Sequence, residues 1–203
     1  MREYFEKVHS HAAPLDAESV DTDTIVPKQF LKWVTRTGYG DIIFYDWRYD
    51  QEGREKDFIL NQSPARDAEI LLTKKNFGSG SSREHAPWGL KEFGFSVIIA
   101  PSFAEIFYQN SIKNGILPVT LSEKEVDHLF SLTVADPHAE LTVDLDLNMV
   151  KASDGTIYYF EIDRFFKDML LHGLDDIGLS LQHEADITQF ETEHRVYYQP
   201  PSS

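Results

Sequence analysis

Between residues 78 and 85 the chain reads Gly-Ser-Gly-Ser-Ser-Arg-Glu-His, which places three hydroxyls and a guanidinium on a glycine loop. Such a loop suits an anionic ligand, because glycines let the backbone approach closely and Arg offers a planar, always-charged fork to a carboxylate or phosphate. Upstream, Ile70-Leu71-Leu72 has the short apolar run of a buried strand. Downstream, Trp88, Leu90 and Phe93 follow Pro87, which suits the first turn of a helix. The loop is therefore expected at a helix N-terminus, where unpaired N–H groups and the macrodipole favour negative charge.

Three familiar readings fail on spacing. A phosphate-binding P-loop needs Gly-Lys-Ser/Thr after four intervening residues, and no Lys follows these glycines. A dinucleotide fingerprint would need Gly where Arg83 stands. A hydrolase nucleophile elbow needs Gly two residues after the serine, but Arg83 follows Ser81 and Glu84 follows Ser82 at that spacing. A plainer alternative stays open: Ser81 and Glu84 have the spacing of a capping box, although Pro87 would then lie several residues inside the helix.

The elements around the loop follow from periodicity and turn signals. Tyr4 to His11 reads as a strand, and Pro27 to Val34 as a short helix opened by proline. Residues 35–67, rich in Gly, Asp and aromatics, lack a clear period and read as a long loop or broken strands. Val97-Ile98-Ile99 is a strand, Phe103 to Asn114 a helix stopped by Gly115, and Ile116 to Leu121 another strand. Ser122 and Glu125 form a capping-box spacing that opens a helix through about Phe130. Leu141, Val143, Leu145 and Leu147 then alternate with polar residues, and Asp154-Gly155 turns the chain into Ile157 to Ile162, giving a half-exposed hairpin. Helical segments follow to Glu193 with a stop at Gly173.

With those elements in place, the loop resembles the signature of the swivel domain in the aconitase and isopropylmalate isomerase superfamily, carried by Gly80-Ser81-Ser82-Arg83-Glu84-His85-Ala86. Two further stretches are similar to the same superfamily: Asp21-Thr22-Asp23-Thr24-Ile25-Val26-Pro27-Lys28-Gln29-Phe30-Leu31, and Leu170-Leu171-His172-Gly173-Leu174-Asp175-Asp176-Ile177-Gly178-Leu179. The last resembles the bacterial small subunits of 3-isopropylmalate dehydratase. The likeness implies an α/β fold: a layered β/β/α swivelling domain, with the core at about 1–165 and a helical extension at about 166–203 of a single domain, 1–203.

Composition sets independent bounds. At 203 residues the chain can bury one sizeable core. No apolar run approaches a membrane span, and Arg2, Glu3, Glu6 and Lys7 leave no apolar core for a secretory signal, so a cytoplasmic protein is expected. A net charge of −15 repels nucleic-acid phosphates and anionic lipids, excluding both as expected partners. There is no cysteine, so the chain cannot supply thiolate ligands to an iron–sulfur cluster. Under the resemblance, the 4Fe-4S cluster belongs to a separate large subunit, the expected partner, and this chain binds no cofactor itself.

The resemblance implies isomerisation of 2-isopropylmalate and 3-isopropylmalate by loss and readdition of water, in leucine biosynthesis. Matching the motif residue by residue gives Ser81 the role of catalytic base and Arg83 that of substrate-carboxylate clamp, with Ser82 and Gly80 adding donors. Asp21 and Asp23 have the look of metal ligands, but a turn before a helix uses Asp for bonds to backbone, and the resemblance implies that they shape the substrate cleft. His9 and His11 share a strand face but have no third ligand nearby in sequence, so no metal site is expected. Asp175-Asp176 falls between helical segments, where capping is the ordinary use.

An isopropyl group wants an apolar wall, and the segment after Leu31 offers Trp33, Val34, Ile42, Ile43, Phe44, Tyr45 and Trp47; Trp33, Ile43 and Phe44 are the expected specificity residues, with Arg36 and Arg48 in the same stretch. Small subunits acting on methylmalate/citraconate or homoaconitate, and a non-catalytic anion-binding assembly domain, are the alternatives.

Overall fold

The computed structural model describes residues 5, 7–30, 37–80, 82–173, 188–190 and 192. The chain divides into two compact units, Met1–Gly173 and Leu174–Ser203. In the second, residues 188–190 and 192 are helical, and the Thr192 hydroxyl donates to the Thr188 carbonyl at 2.8 Å.

The first unit is built on a seven-stranded mixed sheet of order β4-β3-β2-β1-β5-β6-β7. Its strands are β1 Val8–Leu15, β2 Ile70–Thr73, β3 Val97–Ala100, β4 Leu117–Thr120, β5 Glu140–Asp144, β6 Met149–Lys151 and β7 Ile157–Tyr159. Strands β1 to β4 run parallel, and β1 also pairs antiparallel with β5, which begins the β5-β6-β7 meander. The parallel strands β2 and β3 are buried at every residue, as continuous runs such as Ile70-Leu71-Leu72 require of strands covered on both faces.

On one face, the register row Ala13, Leu71, Ile98 joins a core with Tyr39, Ile43, Phe44, Leu60, Leu90 and Phe107. Ile70, Leu72, Val97 and Ile99 alternate to the other face. A helix over Glu123–Ala135 packs on β1, β2 and β3 through buried Val126, Leu129 and Phe130.

The helices in chain order are α1 Thr22–Ile25, α2 Tyr45–Arg48, α3 His85–Phe93, α4 Glu105–Lys113, α5 Glu123–Ala135 and α6 Arg164–His172. Local signals placed three of their ends. Ser122 and Glu125 form the expected capping box of α5, Gly115 follows α4 at φ +73°, and Gly173 caps α6 at φ +60°. The expected half-exposed hairpin is a three-stranded meander, with Leu145 buried and Leu147 exposed in the β5–β6 turn. Helix α6 lies within the first unit, where the Phe5 N–H donates to Leu170 O at 3.0 Å.

Three segments differ from expectation. Helix α5 runs on to Ala135 rather than ending at about Phe130. The first strand starts at Val8 and runs four residues past His11, because Ala12, Ala13, Pro14 and Leu15 pair with β2. The expected helix from Pro27 is instead a 3-10 turn over Lys28–Phe30 after the separate helix α1; residues 31–34 lie outside the described residues.

Residues 37–67 carry little regular structure but are no surface loop. Short turns at Gly40–Ile42, Tyr45–Arg48, Ile59–Asn61 and Ala65–Asp67 drive Tyr39, Ile42, Ile43, Phe44 and Leu60 into the core. Arg48, 2% exposed, fastens the segment. Its Nε donates to Asn61 Oδ1 at 3.0 Å and its Nη1 to Asp41 O at 3.2 Å, while its guanidinium stands 4.9 Å from the centre of the Phe93 ring. Burial lowers its pKa from the ordinary Arg value, yet a guanidinium stays charged.

Candidate active site

The glycine–serine loop leaves the C-terminal end of β2, between the loops that leave β1 and β3. Backbone and side-chain bonds stitch the three together. The Ser19 N–H donates to Lys75 O at 2.9 Å, Asn76 Nδ2 to Ser19 Oγ at 3.1 Å, and the Asn76 N–H to Ser102 Oγ at 2.9 Å. Ser19 and Asn76 both take positive φ, at +52° and +58°, the left-handed region that Asn tolerates through its short polar side chain. The loop then docks on the start of α1: the Gly78 N–H donates to Val20 O at 2.8 Å and the Thr22 N–H to Ser79 O at 2.9 Å.

Glycine is required at two points for different reasons. Gly78, at φ +75°, lies so close to Phe107 that a Cβ there would stand 2.1 Å from the ring. Gly80 has room for a Cβ, 3.6 Å from Asp21 Cβ, but its φ of +98° is one that L-residues rarely adopt.

This docking brings Asp23 and Arg83 together from 60 residues apart. Asp21 is the N-cap of α1, its Oδ1 accepting from the Thr24 N–H at 2.6 Å, which leaves Asp23 in the first turn. Arg83 Nη1 donates to Asp23 Oδ1, and Lys28 Nζ lies 3.2 Å from Asp23 Oδ2. Of the expected site residues, Asp23, Gly80, Ser82 and Arg83 thus fall in one place; Ser82 is exposed, with its carbonyl accepting from Asn110 Nδ2 at 3.4 Å. Ser81 and Trp33, like Arg36 and Asp175-Asp176, lie outside the described residues.

Helix α3 begins at His85 with Glu84 as N-cap, and Glu84 makes no side-chain cap bond. A capping box would need Glu84 as the third helical residue, but it stands at the N-cap itself, so that alternative fails here. Pro87 is the third residue of α3, where a missing N–H costs no intrahelical bond. His85 packs its ring 5.3 Å from that of Tyr39 and 4.9 Å from that of Trp88. Its Nδ1 is buried without a hydrogen-bond partner among the described residues. Burial first, and the Arg83 charge second, hold its pKa below the ordinary value of 6.5, which favours the neutral ring.

Ile43 and Phe44 do not form a substrate wall. Both are 0% exposed; Phe44 stacks on Trp47 at 5.6 Å, and the Ile43 side chain presses on Gly89 of α3. They belong to the hydrophobic core, contrary to the expectation that they line the substrate cleft. Arg48 is likewise committed to the core and is no second substrate cation. His9 bonds Thr142 and Glu140 across the β1–β5 pair, at 2.8 Å each. No group of three or more His, Cys, Asp or Glu able to hold a metal ion is found among the described residues.

The sequence reading missed Lys28 and Asn110 as neighbours of the loop, and gave His85 no role. Lys28 stands inside a matched motif, so it could have been found there; Asn110 carried no signal, because its contact depends on how α4 packs.

Comparison with known proteins fits this geometry. The family profile described as the aconitase C-terminal domain matches residues 2–124, more than half of the chain. The chain belongs to the aconitase C-terminal domain family. A LeuD_N profile matches residues 127–164, and a profile for the C-terminal domain of the 3-isopropylmalate dehydratase small subunit matches 176–197. The crystal structure of 3-isopropylmalate dehydratase (leuD) from Methanocaldococcus jannaschii is similar over 90% of this chain and 98% of its own, with 22% identity and a TM-score of 0.63. Aconitase X from Thermococcus kodakaraensis gives a TM-score of 0.35 at 16% identity, over 77% of this chain and 91% of its own. The fold is the swivel domain of the aconitase superfamily.

Proposed function

We propose that this chain is the small subunit of a 3-isopropylmalate dehydratase, a hydro-lyase that interconverts 2-isopropylmalate and 3-isopropylmalate by dehydration and rehydration in leucine biosynthesis. The observation that carries the reading is the docking of the Gly78–Gly80 loop on α1, which sets Arg83 beside Asp23 inside motifs matched by the family. The two small-subunit profiles over the C-terminal third favour it over methylmalate/citraconate and homoaconitate types and over a non-catalytic assembly domain.

The residues present do not fit an iron–sulfur cluster, since the chain has no cysteine. The 4Fe-4S cluster is assigned to the large-subunit partner, in the cytosol, and would supply the Lewis acidity that this chain lacks. This chain's part is to bind and deprotonate. Arg83 pairs with a substrate carboxylate through N–H donors left over from Asp23. Ser81 takes the carbon-bound proton as an alkoxide, which neighbouring N–H donors of the glycine loop and the Arg83 charge stabilise. Ser82 and Gly80 contribute donors around that oxygen, and Trp33 remains the specificity residue of the original three.

The test is reconstitution with a cluster-loaded large subunit, following the unsaturated intermediate from each candidate malate. Turnover of isopropylmalate is expected, and none from this chain alone. Demonstrated complex formation without such turnover overturns the assignment. Within the working complex, Ser81→Ala is expected to lower kcat at least about a hundredfold, the scale of losing one key catalytic group.

A further inference from the structure

The Asp23–Arg83 contact poses a problem of charge. A guanidinium already neutralised by a carboxylate has little net attraction for a second one, in a chain of net charge −15. Lys28 resolves it. Its Nζ stands 3.2 Å from Asp23 Oδ2 while Arg83 Nη1 holds Oδ1, so one carboxylate spans two cations and the cluster carries a net +1. Among the described residues, Asp23 pairs with these two alone.

We propose that Lys28 is a second substrate-binding cation, and that a substrate carboxylate lies across the free donors of Lys28 and Arg83, with Asp23 as the strut holding them side by side. The donor count allows it: an ammonium has three N–H groups and a guanidinium five, and the contact with Asp23 leaves donors over on each. Adding one carboxylate brings the cluster to neutrality. Lys28 is also placed to reach. It opens the 3-10 turn directly after Pro27, with its side chain 71% exposed, whereas Arg83 is 29% exposed and tethered at its base by the docked loop. A purely structural role explains it poorly, because an ion pair so exposed adds little to stability.

The inference rests on reading this site as the receptor for a malate-type dicarboxylate, and two measurements separate its failure from that of the reading. In the complex with the large subunit, Lys28→Gln is expected to raise KM for isopropylmalate at least about tenfold, the loss of one charge-assisted contact, while kcat falls much less; Lys28→Arg restores most of the affinity. The second measurement titrates malate into the full chain alone, followed by NMR. There, Lys28→Gln is expected to weaken Kd at least about fivefold relative to the wild type, again the scale of one charged contact.

An unchanged KM in an active complex overturns the proposal. Should the complex fail to turn over isopropylmalate, the function assigned above falls, and malate binding decides alone: equal affinity in the two proteins, or no binding by either, overturns the role of Lys28.

Discussion

Two contacts at the residue scale carry consequences beyond their size. Gly78 has Phe107 where a Cβ would go, so Gly78→Ala combines a steric clash with a positive φ. A loss of at least about 2 kcal/mol in urea denaturation is expected. The clash is with one ring, so the double change with Phe107→Ala should lose less than the sum of the single changes, a coupling that a double-mutant cycle measures. His85 gives a pH dependence. Its folded pKa is lowered from 6.5, so the unfolded chain binds the proton more readily. The contribution of His85 to stability is therefore present above 6.5 and is lost as pH falls below that value toward the folded pKa. Thermal melting between pH 7 and pH 5 should show a decline that His85→Gln reduces.

Elements show where sequence reading succeeds and fails. The cap of α5, the stops at Gly115 and Gly173 and the turn at Asp154-Gly155 were legible because each is a local bond or a local φ requirement. Residues 37–67 were not. Turns of three or four residues are too short to show a period, and the burial of Ile43 and Phe44 is decided by α3 and β2, far away in sequence. Arg48 misled most: in the sequence it stood as a cation among the expected specificity residues, yet it is the fastener of a core. Arg48→Ala is expected to cost roughly 3 kcal/mol by denaturant titration, the scale of losing several hydrogen bonds to a buried charge. At the candidate site, Asp23, Gly80, Ser82 and Arg83 were legible from the motifs as neighbours. Their arrangement was not, because the Asp23–Arg83 contact and the committed state of Arg83 depend on loops meeting across 60 residues.

For the whole molecule, the informative contrast is between a net charge of −15 and a small cluster of net +1. The two act over different distances. Contacts near 3 Å lie well inside the Debye length at all ordinary salt concentrations, whereas the repulsion from the rest of the surface reaches farther and is screened first. Raising the salt from about 0.01 M to about 0.1 M, which shortens that length from about 30 to about 10 Å, should tighten malate binding to the full chain. Calorimetric titration at the two concentrations checks it. Helices long and apolar enough to cross a membrane are absent among the described residues.

The docking of the glycine loop on α1 also has a consequence in time. Asp21 to Asp23 are synthesised some 60 residues before Arg83, and the strands that bring them together are parallel, so no local hairpin can pre-form the contact. During synthesis the first motif waits without its partner until β2 has emerged and paired with β1. Chains that misfold before that pairing can contain both motifs and still leave them apart, which makes the finished ion cluster a report that the parallel core has closed.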